Sequence, residues 1–304
     1  MKRCTALLLL TITLLLTACG RAAPEEPATT AHSTTIPTSE TTTQTTAPLP
    51  KPEPVPVIDE VAWKVIETDA AMQERMQGWP GEDLFGDAPK ELVLSDTKTV
   101  IQTQEESGGT ITRKLVLREN GSETLLWEAE DHLGSDRAKS PILSCAMDER
   151  YVLVAWQGWE WMAGHSIFDT RETKEIPLSV PTTFLGYIDG YLYFTASGGE
   201  EIDQLTLIRA KWSRGKLQTE DLLAGVPGTE MPDGALMRAG LLSPDGRYFT
   251  TESAVFDLQQ RKCVFQLDET RDSFDFPHFE DAHTLYFYTS NARGHRFALE
   301  ITLP

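Results

Sequence analysis

Apolar and polar positions along residues 58–304 alternate over short distances, and turn residues separate one apolar run from the next. The runs are rich in Val, Ile, Tyr, Phe and Trp, which favour strands because branched and aromatic side chains fit a pleated surface. The 3.6-residue spacing of an amphipathic helix is scarce, with one short helix expected around Ala70 to Met76. The pattern therefore predicts an all-β domain.

An acidic turn leads into an apolar run at five places in this domain. Aspartate occurs in each turn, often beside Gly or Pro, as tight hairpins require; the five residues are Asp96, Asp148, Asp189, Asp245 and Asp281. A second element, Phe followed by Asp at the end of a strand, occurs at 168–169 and 256–257. Together they define a four-stranded unit, and such a unit of about 40–45 residues is typical of a β-propeller blade.

The repeats predict a β-propeller of about five four-stranded blades, at 90–129, 140–178, 182–223, 235–267 and 272–303. The last blade has three clear strands, whereas residues 60–67 form a spare one in which Val61, Trp63 and Val65 alternate with polar or small residues. We expect this N-terminal strand to complete the last blade and close the ring. Six blades with one degenerate, or a two-sheet sandwich, are the alternatives.

One blade carries a family resemblance. Residues 241–249 (LLSPDGRYF) and the following 255–258 (VFDL) resemble the repeat of WD-like and TolB-type propellers. The resemblance covers one blade well and the other four only faintly. It implies a fold and assigns no function, because propellers serve many functions.

The first twenty residues have the features of an export signal. Lys2 and Arg3 precede an apolar run, Ala6 to Leu16, that is short for a membrane span and fits the hydrophobic region of a secretory signal. The run ends in LTACG at 16–20, which resembles the lipobox of bacterial lipoproteins. The resemblance implies a signal peptide at 1–18 and lipidation of Cys19, which would anchor the protein to the cell membrane on its extracytoplasmic side.

Residues 19–57 differ in composition from the rest of the chain. They are rich in Thr and Pro and contain no aromatic residue. Such a segment has too little apolar surface to offset the entropy of ordering, so we predict a disordered linker. Its Pro-rich end should be stiff and extended. The propeller domain is then 58–304.

Charge narrows the possible partners. The chain has 27 basic and 46 acidic residues and a net charge of −19. Nucleic acid is therefore not an expected partner, because binding phosphates requires a basic surface. Once Cys4 leaves with the signal and Cys19 carries lipid, Cys145 and Cys263 remain. Both lie in apolar runs, which favours buried free thiols over a disulfide.

Motifs for catalysis or cofactor binding are scarce. The chain has no phosphate-binding loop ending in Lys-Ser or Lys-Thr, no HExxH and no CxxC, so no cofactor and no metal site are predicted. The five domain histidines are scattered and are expected to be exposed or hydrogen-bonded. Ser166 follows GH in an incomplete nucleophile elbow and opens a strand, which argues against catalysis. A propeller glycosidase or lyase using channel carboxylates such as Asp275 remains the enzymatic alternative.

The most unusual local feature is WQGWEWMAGH at 156–165, with three tryptophans in six residues. Trp156 should belong to the core, whereas Trp159 and Trp161 are candidates for an exposed binding surface, together with His165 and Arg293. The competing interpretation is that both tryptophans pack over the adjacent blade. The predicted function is a protein- or peptide-binding (or glycan-binding) or scaffold module, with an envelope protein or peptide as partner. An accessory domain of a larger machine is the third possibility.

Overall fold

Antiparallel strands make up nearly all the regular structure of the chain. The computed structural model describes residues 56–77, 90–132, 140–157, 162–181, 183–196, 204–230, 240–268, 276–290 and 296–304. These residues belong to one compact unit, Lys51–Pro304. They form five antiparallel sheets and a helix, α1 (Ala70–Gln77).

Three sheets are built from four consecutive strands each, and their order in space follows their order in the chain. Sheet 1 contains β3 (Glu91–Ser95), β4 (Lys98–Ser107), β5 (Thr110–Glu119) and β6 (Ser122–His132). Sheet 2 contains β7 (Ser140–Ala146), β8 (Tyr151–Gln157), β9 (Met162–Asp169) and β10 (Lys174–Leu178). Sheet 3 contains β11 (Thr183–Ile188), β12 (Tyr191–Thr195), β13 (Leu207–Ser213) and β14 (Lys216–Asp221).

The last two sheets each incorporate a strand from the N-terminal side of the domain. Sheet 4 contains β15 (Leu241–Leu242), β16 (Tyr248–Thr250), β17 (Ala254–Asp257) and β18 (Lys262–Leu267), with β1 (Pro56–Asp59) added beyond β18. Sheet 5 contains β19 (Phe276–Phe279), β20 (Thr284–Ser290) and β21 (Arg296–Thr302), with β2 (Ala62–Glu67) added beyond β21. The five repeat units predicted from sequence thus correspond to five sheets, which a two-sheet sandwich does not provide.

The prediction that the spare strand completes the last sheet is confirmed, whereas the predicted closure of the ring is not shown by the described residues. Trp63 of β2 is paired with Ile301 of β21, and Lys64 is joined to Glu300 by an ion pair of 2.8 Å. The strand β1 was not predicted, because Pro56 had been assigned to the linker. A proline is tolerated there because it begins an edge strand, where its missing N–H costs no ladder hydrogen bond.

The core lies between successive sheets. Buried clusters join sheet 1 to sheet 2, sheet 2 to sheet 3, sheet 3 to sheet 4 and sheet 4 to sheet 5. The first strands of the sheets are also neighbours, since β7 contacts both β3 and β11, and β11 contacts β15. Sheets that stack face to face around their first strands have a propeller-like arrangement.

The remaining face of sheet 5 is covered by the helix. Asp69 caps α1, its side chain accepting a hydrogen bond of 2.8 Å from the Met72 N–H. Met72 is buried against Tyr288 and Ala298 of sheet 5. The short helix predicted around Ala70 to Met76 is therefore confirmed. Among the described residues no buried cluster joins sheet 5 to sheet 1, so the five sheets are not closed into a ring there.

The acidic turns that mark the repeats have a direct structural role. Asp148 accepts hydrogen bonds of 2.7 Å from the backbone N–H groups of Arg150 and Tyr151. Asp281 does the same for the backbone of residues 283 and 284, and these bonds hold the pKa of its carboxyl below the usual value. A carboxylate that satisfies its own turn explains why Asp precedes the apolar run at these two places.

None of the helical structure in the described part of the chain is long and apolar enough to cross a bilayer.

Candidate functional site

The two ends of the sheets differ in their connections. At one end, strands are joined by tight turns such as Asn120–Gly121 and Arg214–Gly215, whose positive φ angles suit short hairpins. The opposite end has a tight turn at Gly108–Gly109 but also receives the longer connections, which follow β6, β8, β12, β14, β18 and β20 and are 133–139, 158–161, 196–206, 222–240, 268–275 and 291–295. We call it the long-connection end. The alternation of antiparallel strands brings these connections to the same end of their sheets.

Most of the predicted binding residues belong to these connections. Trp159 and Trp161 fall in 158–161, and Arg293 falls in 291–295, so all three lie outside the described residues. Asp275, the carboxylate of the enzymatic alternative, also lies outside them. Their exposure and mutual distances therefore stay predictions. What the strands establish is that the two connections containing Trp159, Trp161 and Arg293 leave their sheets at corresponding ends.

His165 lies inside the molecule, between sheets 2 and 3. It pairs with Ala155 of β8 and Leu178 of β10, and its ring meets that of Phe194 edge-on with centroids 5.0 Å apart. The residue is only 2% exposed, and neither ring nitrogen has a hydrogen-bond partner among the described residues. Burial lowers the pKa of His165 to about 4, so its ring is neutral at pH 7.

This arrangement differs from the sequence expectation, which had the histidines exposed or hydrogen-bonded. His165 is neither, because β9 turns its side chain toward sheet 3, where Ile167 and Phe194 form the core. An orphaned polar ring in such a place is costly, since a buried donor without a partner loses its bonds to water. The predicted role of His165 in ligand binding stays a prediction, and the residue would have to act from a buried position.

Trp156, the first residue of the tryptophan-rich segment, belongs to the core as predicted. Its ring packs against Trp127 of sheet 1, with centroids 4.9 Å apart. Its indole N–H donates a hydrogen bond of 2.8 Å to the Ser166 hydroxyl, which in turn donates one of 2.7 Å to Glu175. Ser166 is thus a buried structural link between Trp156 and Glu175.

Two arginine–aspartate pairs brace the short-turn end. Arg150 and Asp169 are joined in sheet 2 by two hydrogen bonds, of 2.8 and 2.6 Å. Arg247 and Asp257 occupy the corresponding place in sheet 4, at 3.1 Å. The hydrogen bond from Arg150 holds the pKa of Asp169 below its usual value. The Phe-Asp element noticed in the sequence is therefore a structural repeat, and its arginine partners had been missed because only pairing across the hairpin reveals them.

Both cysteines are free thiols, as predicted, but only Cys263 is fully buried, whereas Cys145 is partly buried. Cys145 and Cys263 form no disulfide and lie in different core clusters. Burial raises the pKa of Cys145 to about 12 and that of Cys263 to about 11. Thiols that remain protonated are poor nucleophiles and poor metal ligands. In the described part of the chain, no group of three or more His, Cys, Asp or Glu side chains is arranged to hold a metal ion.

Comparison with known proteins finds likeness only among solved structures. No family model and no curated protein matches the chain. The chain is similar to TolB from Acinetobacter baumannii, with 12% identity and a TM-score of 0.33 over 68% of this chain and 51% of that one. It is also similar to a protein from Lactobacillus plantarum, with 12% identity and a TM-score of 0.30 over 69% of each chain.

The chain thus spans about half the length of the TolB chain that it matches. A TM-score below 0.5 does not establish a common fold, so these likenesses assign neither architecture nor activity. The propeller-like arrangement rests instead on the pairing of the strands and on the buried clusters between successive sheets.

Proposed function

We propose that the protein is a lipid-anchored extracytoplasmic module that binds a protein or peptide at the long-connection end of a five-bladed propeller. The anchor is Cys19, and residues 19–57 are the spacer between the membrane and the domain. The support for this part is the order of features in 1–20, with a basic start, an apolar run and the lipobox-like LTACG. The expected location is the outer side of the cell membrane.

The observation that carries the binding proposal is the contrast between the two ends of the sheets. The short-turn end is occupied by carboxylates that satisfy their own turns and by the Arg150–Asp169 and Arg247–Asp257 pairs. The long-connection end receives the longer connections, and the sequence places Trp159 and Trp161 in one of them. Tryptophan contributes large contact areas at interfaces, and binding residues concentrate on connections held by a rigid scaffold.

The acidic charge of the chain favours a neutral or basic partner. With a net charge of −19, the protein attracts basic surfaces, does not repel neutral ones and repels anionic polymers. A protein or peptide of the cell envelope fits this condition, and a neutral glycan is the second candidate ligand. The five sheets serve as the scaffold from which these connections leave.

The test is capture of partners by the full chain, purified in a mild detergent, from an extract of the organism's own envelope. Trp159→Ala/Trp161→Ala removes both indole rings, and Trp159→Phe/Trp161→Phe is the matched control that keeps an aromatic surface. We expect one specific protein or glycan to be retained by the native chain, lost by the alanine variant and regained in part by the phenylalanine variant.

Equal retention by all three proteins would contradict the binding site at Trp159 and Trp161, provided that the three melt at the same temperature. Anchoring is tested separately by the mass of the mature protein. A diacylglyceryl group on Cys19 is expected, and a mature N-terminus at any other residue would contradict the anchor.

A further inference from the structure

The outer edge of sheet 1 differs from the other outer edges. Its last strand, β6, is 11 residues long and contains neither proline nor lysine. By contrast, β10 contains Pro177, and β14 begins with Lys216. The edges of sheets 4 and 5 are already covered by β1 and β2. Short strands, lysines and prolines protect many edges against a further strand, and β6 has none of these three, although it carries acidic side chains and one bulge.

The register of β6 shows which of its backbone groups face outward. The hairpin from β5 to β6 turns at Asn120 and Gly121, with φ angles of 50° and 79°, so Glu119 and Ser122 form its closing hydrogen-bonded pair. From this pair onward, the backbone N–H and C=O groups of successive β6 residues point alternately toward β5 and away from it, apart from a bulge after Leu125. The residues whose N–H and C=O point away from β5 are Glu123, Leu125, Glu128 and Glu130.

No described strand takes up these outward groups. The only strand that pairs with β6 is β5, and no backbone hydrogen bond outside the sheets involves Glu123, Leu125, Glu128 or Glu130 among the described residues. All four residues are exposed, and Leu125 is 48% exposed, one of the few large apolar side chains of the described chain to be so. Within the described residues, a row of backbone donors and acceptors without partners thus lies beside an exposed leucine, as strand addition requires.

The side chains of Glu123, Leu125, Glu128 and Glu130 share one face of sheet 1. Leu117 and Trp127 belong to the cluster that joins sheet 1 to sheet 2, so the alternate positions on β6 lie on the other face. Along β6, that face therefore presents Glu123, then the apolar Leu125, and then Glu128 and Glu130. An added strand would place its own side chains directly beside them.

Charge already alternates from strand to strand on this face. Arg118 of β5 pairs with Glu123 of β6 at 2.8 Å, and Lys114 of β5 lies 3.8 Å from Glu128. Continuing the alternation by one strand calls for basic residues beside Glu123, Glu128 and Glu130, with an apolar residue beside Leu125. Opposite charges on neighbouring strands stabilise pairing and like charges oppose it.

We propose that β6 accepts an extended segment of a partner protein as a further antiparallel strand, and that this segment carries Lys or Arg at alternate positions. A second copy of this chain does not fit, because two β6 strands set side by side would bring glutamates against acidic residues. The domain itself already uses strand addition twice, at β1 on β18 and at β2 on β21. The proposed edge is separate from the long-connection end, so it stands or falls independently of the function proposed above.

The test uses a fluorescent nine-residue peptide. It has lysine at positions 2, 4 and 8, valine at position 6 and threonine at every other position. The order matches Glu130, Glu128, Leu125 and Glu123 in an antiparallel arrangement. Fluorescence anisotropy with the full chain at low ionic strength is expected to show saturable binding. Hydrogen exchange of the segment 122–132 is expected to slow when the peptide is bound, because the outward amides become hydrogen-bonded.

Two variants at one position separate backbone pairing from charge attraction. Glu128→Thr keeps the N–H and removes one cross-strand charge pair, so affinity should fall only about 1.4- to 5-fold. Glu128→Pro also removes an outward N–H, which is tolerated on an edge strand but blocks an added one, so affinity should fall at least about tenfold. The melting temperatures of both variants serve to show that the sheet is intact.

Three results would overturn the proposal. The first is equal weakening by the threonine and proline variants, which would mean simple charge attraction. The second is undiminished binding of a peptide N-methylated at alternate residues, which cannot form the ladder. The third is the absence of saturable binding to the native chain.

Discussion

Replacement of His165 by leucine should make the domain less sensitive to acid. The imidazole is buried beside Phe194 without a hydrogen-bond partner in the described part of the chain, and burial lowers its pKa to about 4. In the unfolded chain a histidine has a pKa of about 6.5. Between these two values the unfolded state binds a proton that the folded state does not, so stability must fall as the pH falls through this range.

The size of the effect follows from the two pKa values. They differ by about 2.5 units, and each unit corresponds to about 1.36 kcal/mol, which gives about 3 kcal/mol between pH 7 and pH 4. The loss of stability caused by His165 is small above pH 6.5 and grows progressively as the pH falls below that value. For a domain whose total stability is about 5–15 kcal/mol, this is a large share. Asp169, whose pKa is lowered by Arg150, adds a further loss only below its usual value of 3.8.

The assay is urea unfolding of the full chain, followed by tryptophan fluorescence, at pH values from 7.5 to 4.5. The native protein should lose about 1 kcal/mol per pH unit in the middle of this range, and His165→Leu should lose clearly less. Ile167→Val is the matched control, because it perturbs the same buried cluster without removing a titratable group. It should lower the free energy of unfolding by about 0.5–1.5 kcal/mol at every pH and keep the native slope.

Parallel pH profiles for the native protein and His165→Leu would refute the reasoning. Such a result would mean that the imidazole gains a partner or water in solution and titrates alike in both states. A steeper profile for the leucine variant would also refute it, since removal of the group can only remove its share of the slope.

Three further predictions concern the scaffold. Asp257→Asn should lower the free energy of unfolding by about 1.5–3 kcal/mol in urea titrations, because the buried carboxylate binds Arg247; a change below about 0.5 kcal/mol would count against the brace. Deletion of 60–67 should lower the melting temperature of the whole domain by exposing the edge of β21, and an unchanged melting temperature would contradict that role. Cys145 and Cys263 should react with a thiol reagent only slowly at pH 8 and fast in urea, and rapid labelling of the native chain would contradict their burial.

The repeat could be predicted from sequence because its signals are local. In several turns a carboxylate accepts backbone N–H groups of the turn, as at Asp148 and Asp281, so aspartate recurs before apolar runs. The strand at 60–67 was also predictable, since its apolar residues alternate and the last repeat lacked a strand. Both inferences depend only on neighbouring residues and on counting strands.

Other features depend on contacts that no local pattern records. The burial of the His165 ring, without a hydrogen-bond partner among the described residues, is a consequence of how sheet 3 packs against sheet 2. An isolated histidine in a sequence does not reveal such an environment. The strand β1 was missed because Pro56 opens it, and its partner in sheet 4 lies near the other end of the chain. The Arg150–Asp169 brace spans a hairpin, so it becomes visible only once the register is known.

The two ends of the domain meet on sheets 4 and 5, which has a consequence for how the domain holds together. β1 extends sheet 4, β2 completes sheet 5, and the carbonyl of Pro304 accepts hydrogen bonds from Arg247 and Tyr248 of sheet 4. These contacts join residues from opposite ends of the chain, so the loop-closure entropy is lost before they contribute any stability. Sheets 1 to 3 need no such closure. Sheets 4 and 5 should therefore be completed last during folding, and their N-terminal strands should be the first to yield if the linker is pulled.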